Sequence, residues 1–152
     1  MTTAQTAVAL AGVLREHHAA LVDMLADQAP AAGSRYEQMA PAELRARIGR
    51  LVDACTTSIA ANDPQPFAAY LRGAAAALLA NGYSLDSLIT MAMLTEGALS
   101  DTVALAFEEA PAAERAEADA LVRGLMATAS RILETFAGET PPPAGPSDSE
   151  SR

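Results

Sequence analysis

An all-α fold is what this sequence predicts, on three observations. Alanine-rich stretches such as residues 73–80 lack the β-branched side chains that favour strands, and alanine has the highest intrinsic helix propensity. Apolar residues recur at three- and four-residue steps along most of the chain, the spacing of one helix face. Prolines and capping residues punctuate these stretches where helices should start, and Gly or Asn stands where they should stop. The 152 residues suit a single domain, and although 51% of them are apolar there are only three Tyr, three Phe and no Trp. Such a core is expected to form by helices approaching closely.

A helical body of about five helices is expected over residues 1–137, followed by a disordered tail at 138–152. The first helix should run from near Thr3 to about Gln28, with Val13, Leu14, Leu21, Val22 and Leu25 on one face, and end at Pro30 and Gly33. Pro41 suits the first position of a second helix, where Glu43 meets a favourable dipole, and this helix should reach Ala61. Asp63 is a good N-cap for the third, with Pro64 behind it and Phe67 and Leu71 on one side.

Residues 81–85 read as a corner between helices. Gly82 can adopt the left-handed geometry that closes the third helix, while Ser84 caps the fourth and Asp86 adds a favourable charge to its first turn. The fourth helix is expected from Leu85 to about Glu109, roughly 38 Å at 1.5 Å per residue. Pro111 opens the fifth. There Ala118, Val122, Leu125, Ala129, Ile132 and Phe136 alternate by four and three, a heptad-like seam widened by Leu121, Met126 and Leu133. Beyond Gly138 the composition turns to Pro, Ser and Thr, too polar to order itself by burial.

Charge and chemistry exclude several classes. The net charge is −9, with no Lys and ten Arg, and residues 63–110 carry a single Arg, Arg72. Nucleic acid and anionic membrane surfaces both demand clustered cations, so neither partner is expected. The N-terminus has no positive region preceding its apolar stretch, and no unbroken apolar run reaches the roughly 18–20 residues that span a bilayer. A lone cysteine, Cys55, with apolar and small helical neighbours, reads as a buried inert thiol in a reducing cytoplasm.

His17 and His18 point about 100° apart on a helix, so they cannot close on one metal as an i,i+4 pair does. No histidine follows His18 and no cysteine follows Cys55, which leaves haem without an ordinary axial ligand. No phosphate loop or nucleophile elbow is present. The sequence therefore predicts no catalytic residue, no metal, no cofactor and no enzyme. Met91, Met93, Leu94 and Leu99 read first as core filling and second as an adaptable pocket lining.

The run Arg35-Tyr36-Glu37, then Ala42-Glu43-Leu44, Asp63-Pro64, Pro66-Phe67, Tyr70-Leu71 and Gly82-Tyr83-Ser84-Leu85 with Leu88 resembles the N-terminal domain of the RsbT co-antagonist proteins (RsbR and RsbRD) of bacterial stressosomes. The resemblance spans about Leu10 to Val103. It implies a globin-like helical bundle without haem, a homodimer, and a sensory role in stress or transcriptional signalling. Two departures stand out: Thr95 and Glu96 replace an expected basic residue, and no STAS or DNA-binding output domain follows in this chain.

Two functions follow as expectations. The first is a non-catalytic, cytoplasmic regulatory homodimer contacting a signalling protein, with interface candidates Leu121, Leu125, Met126 and Ile132 on the fifth helix. The second is a small-molecule binding or carrier bundle, its pocket lying among the third, fourth and fifth helices with Tyr70, Tyr83 and Met91 as lining candidates. An enclosed apolar cavity favours the second, and a filled core with an exposed apolar seam favours the first.

Overall fold

The computed structural model describes residues 2–139, and within them the chain is entirely helical, with no strand. Seven α-helices follow in order: α1 (Thr3–Glu16), α2 (His18–Gln28), α3 (Ser34–Gln38), α4 (Pro41–Ala61), α5 (Gln65–Ala80), α6 (Leu85–Ala106) and α7 (Ala112–Glu139). A 3-10 turn at Ala29–Ala32 joins α2 to α3. The all-α bundle expected from the sequence is thus present. Helix α7 carries the helical body to Glu139, two residues past the expected boundary at 137, and residues 140–152 of the tail lie outside the described residues.

Two helices are added to the five expected. The first expected helix is bent into α1 and α2 at His17, whose backbone leaves helical geometry at φ −99°, ψ 13°. The Val13 carbonyl there lies 2.9 Å from both the His17 backbone N–H and its ring Nδ1, so the side chain competes for a helix acceptor and the helix turns. The short helix α3 occupies what the sequence presents as linker. It is set by Gly33, at φ 147° and ψ 162°, a region open essentially to glycine. A β-carbon on Gly33 would stand 3.5 Å from Ser87 Cβ, which shows how closely this turn lies on the first turn of α6.

The chain-reversing corners are built as their residues require. At the end of α4, Asn62 takes the left-handed conformation (φ 51°), and Asp63 N–H bonds back to the Ser58 carbonyl at 3.0 Å. Asp63 Oδ1 then accepts from Gln65 N–H, and Ser58 Oγ accepts from the buried Phe67 N–H at 2.8 Å, tying the two helices across the turn. The Gly82 corner is a full Schellman motif: Gly82 N–H bonds Leu79 O at 3.2 Å and Tyr83 N–H bonds Leu78 O at 3.0 Å, with Gly82 at φ +89°. Ser84 Oγ accepts from Ser87 N–H and caps α6.

Helix α4 packs against α1, α2 and α5, and α6 packs along α7, which also meets α5 and α1. Leu10, Leu14, Leu25, Val52, Leu99, Val103 and Val122 are fully buried where these layers join. Thr3 and the buried Thr6 donate to the Glu117 carboxylate, linking α1 to α7. Helix α6 is long and apolar enough, by length and composition alone, to cross a membrane; counting only unbroken apolar runs overlooks it, because scattered Thr, Ser and Gly interrupt the run without making it polar. In the bundle Leu88, Met91, Leu99 and Val103 of α6 are buried in the core.

Gly82 gives the first prediction. A β-carbon there would meet the Arg35 guanidinium at 2.5 Å, and the left-handed backbone strains any branched residue. Gly82→Val is expected to cost at least about 1 kcal/mol, read as a lowered melting temperature. An unchanged melting temperature would contradict this corner.

Candidate functional site

Four long helices leave a gap where they converge. A cleft opens among α4, α5, α6 and α7, with α3 across its end, lined by Leu44, Ile48 and Leu51, by Phe67, Leu71 and Leu78, and by Leu88, Met91, Met126 and Ala129. It spans about 710 Å³ counted out to its open mouth. Small residues make it: Ala74, Ala75, Ala92 and Ala129 stand where leucines would have met across the space.

Polar groups gather at one end. Tyr36, presented by α3, is 5% exposed and lines the cleft. Its ring meets that of Tyr83 edge to face, with centroids 5.0 Å apart and planes at 70°. Tyr70 of α5 lines the cleft beside Arg47 and donates to the Arg47 carbonyl oxygen at 3.3 Å. Arg47 in turn holds Glu43 through Nε at 3.1 Å, one turn back on α4.

Burial raises the Tyr36 hydroxyl from 10.0 to about 12, helped by the neighbouring Tyr83 and Tyr70 and opposed by the Arg47 charge. Burial likewise raises Tyr70, against the lowering effect of Arg50 and Arg47. All three tyrosines of the chain therefore meet at one corner, although they are 13 to 47 residues apart in sequence.

The buried hydroxyls divide sharply. Thr56, Thr95, Thr102 and Thr128 each donate to the carbonyl four residues back in their own helix. Ser87 donates to the Ser84 carbonyl, Thr6 donates to Glu117, and Ser58 accepts from Phe67. The Tyr36 hydroxyl, by contrast, makes no hydrogen bond to any described residue.

Of the residues singled out in the sequence, Tyr70 and Met91 line the cleft together. Tyr83 stands behind Tyr36, its hydroxyl donating to the Arg35 carbonyl at 3.4 Å. The fifth-helix candidates turn inward: Leu125, Met126 and Ile132 are 5%, 6% and 5% exposed, and Leu121 is half-buried against the core. The large exposed apolar side chains stand instead on α6, at Ile89, Met93 and Leu105, and on α1, at Val8, with Met93 65% and Ile89 39% exposed. With Leu85, Ile89 and Met93 border a second groove, lined across from them by Ser130, Leu133, Glu134 and Ala137 of α7 and also by Ala92, Glu96 and Met126.

Sequence reasoning missed Tyr36 and Arg47 as site residues. The only signal was an aromatic standing alone in a short polar linker just after a glycine. Cys55 is fully buried, and burial pushes its thiol up to about 12. His18 Nδ1 lies 3.5 Å from Asp53 Oδ1 near the surface, and among the described residues no three His, Cys, Asp or Glu side chains gather as a metal site.

No family model, no curated protein and no solved structure matches this chain. The likeness to the RsbT co-antagonist domain thus rests on the residues quoted for it.

The raised Tyr36 hydroxyl links stability to pH. Its neutral form is favoured by the fold, so its contribution is complete below pH 10 and is lost as pH rises to about 12. Tyr36→Phe is expected to make the alkaline fall in melting temperature across that window shallower; Cys55 titrates in both proteins, so a matching slope would contradict the burial of this hydroxyl.

Proposed function

We propose that this chain is a non-catalytic sensory module that takes a small molecule into the cleft and reports its presence on the α6–α7 surface to another protein chain. One observation carries the reading: Ala92 and Met126 line both the internal cleft and the external groove. A molecule entering the cleft presses on the side chains that line the groove, and Met, flexible and unbranched, is suited to passing such a displacement across a packed wall. The resemblance to stressosome co-antagonists supports bacterial stress or transcriptional signalling as the setting.

A homodimer through this same face is the second reading, favoured by the exposed Ile89 and Met93 beside a mainly apolar groove that Glu96, Ser130 and Glu134 also line. Two copies related by a two-fold axis can each seat Ile89 and Met93 of one in the groove of the other.

The coupling is tested with a polarity-sensitive fluorophore on Met93→Cys, where the buried Cys55 leaves the new thiol as the reactive one. A small aromatic compound that raises the melting temperature is expected to shift the emission saturably, and Met126→Ala to shrink the shift while binding persists. A bound compound with no emission change would overturn the coupling. For the dimer, light scattering at tens of micromolar should give twice the chain mass, and Met93→Asp should halve it with circular dichroism unchanged, since a charge in an apolar contact costs several kcal/mol. A wild-type monomer would refute this second reading.

A further inference from the structure

The end of the cleft closed by Tyr36 is a donor site without an acceptor. Tyr36 is 5% exposed as a residue, and among the buried residues described its hydroxyl is the one with no hydrogen bond to the protein. Leaving such a group unsatisfied is costly, by a few kcal/mol in general, and native structures keep few of them outside binding or catalytic sites. Arg47 lines the same space. Its Nε donates to Glu43, its terminal Nη groups make no hydrogen bond to a described residue, and the side chain is 32% exposed. The Tyr70 hydroxyl already donates to the Arg47 carbonyl.

The rest of the lining sorts ligands by charge. No Asp or Glu lines the cleft, and the Glu43 carboxylate outside the lining is already paired with Arg47 Nε, so an ammonium group would lie beside Arg47 with no carboxylate on the wall to receive it. The remaining wall is apolar apart from Thr95, whose hydroxyl is spent on the Met91 carbonyl. A wholly apolar molecule would fill the wall and leave Tyr36 unsatisfied. An apolar body with an anionic acceptor at one end satisfies both halves of the site, because a carboxylate accepts from a phenol and a guanidinium at once.

We infer that the cleft binds a small apolar carboxylate, its head accepting from the Tyr36 hydroxyl and the Arg47 guanidinium and its body lying against Phe67, Leu88, Met91 and Met126. The cleft, about 710 Å³ counted to its open mouth, suits about one ring with a short chain. This assignment rests on the reading of the cleft as the sensory pocket, and it narrows that reading to one ligand chemistry.

Three compounds with one body and different heads test it: para-butylbenzoate, para-butylbenzamide and para-butylbenzylamine, titrated calorimetrically into the full chain near neutral pH. The benzoate is expected to bind about tenfold or more tightly than the benzamide, with the benzylamine weakest. Tyr36→Phe, which removes one oxygen and keeps the ring, is expected to weaken the benzoate by about tenfold. Arg47→Met should erase the preference of benzoate over benzamide, and Arg47→Lys should restore part of it. If Arg47→Met does not fold, Tyr36→Phe and Arg47→Lys decide the matter. Equal binding of all three by the wild type, or an undiminished benzoate affinity in Tyr36→Phe, would overturn the carboxylate assignment and leave the cleft standing as a pocket. Binding of none would overturn the assignment and the sensory reading together.

Discussion

The structure depends on how closely alanine lets helices approach. A chain with six aromatics and no tryptophan cannot fill wide interhelical space, so α4 must lie hard against α1, α2 and α5, and α6 against α7. The few large side chains then decide where that packing closes. Leu10, Leu14, Val52, Leu99 and Val122 close it fully. At Ala74, Ala75, Ala92 and Ala129 small residues of three helices, α5, α6 and α7, face one space, and methyl groups alone do not fill it. Core and cleft are therefore two results of one composition.

That relation explains which parts were legible in the sequence. Helix bodies α4, α5 and α6 follow from local spacing, and the Gly82 corner follows from local chemistry, since a Schellman turn needs only the residues within it. The bend at His17 was not legible, because a histidine ring competing for the Val13 carbonyl leaves the apolar periodicity intact on both sides. Helix α3 was hidden for a different reason. Five residues carry too little periodicity to mark a helix, and what holds them is the contact of Gly33 with the first turn of α6, far away in sequence.

The candidate site was legible in part. Met91 was marked as a lining residue because methionine repacks easily, and Tyr70 as a candidate in a pocket among the third, fourth and fifth helices; both line the cleft. The direction of the α7 stripe was beyond reach, because a helix apolar around much of its girth does not say which neighbour it faces. In the structure Leu125, Met126 and Ile132 face their own chain, and large exposed apolar side chains stand on α6 and α1. Tyr36 and Arg47 form part of the site only through the packing of α4 against α5 and of the 3-10 turn that carries α3 against α6, a long-range arrangement that no local pattern encodes.

The Gly82 turn also governs the chemical ageing of the chain. Asn followed by Gly is the dipeptide in which the backbone nitrogen most readily attacks the side-chain amide carbon, expelling ammonia and leaving a succinimide. Here the Gly82 N–H is held by the Leu79 carbonyl, and Asn81 Nδ2 donates to the Ala77 carbonyl at 2.7 Å, so both reacting groups are fixed within the helix end. Ring closure requires that end to unwind first. The fraction of aspartate and isoaspartate at position 81 thus becomes a slow cumulative record of how often the α5–α6 corner has opened.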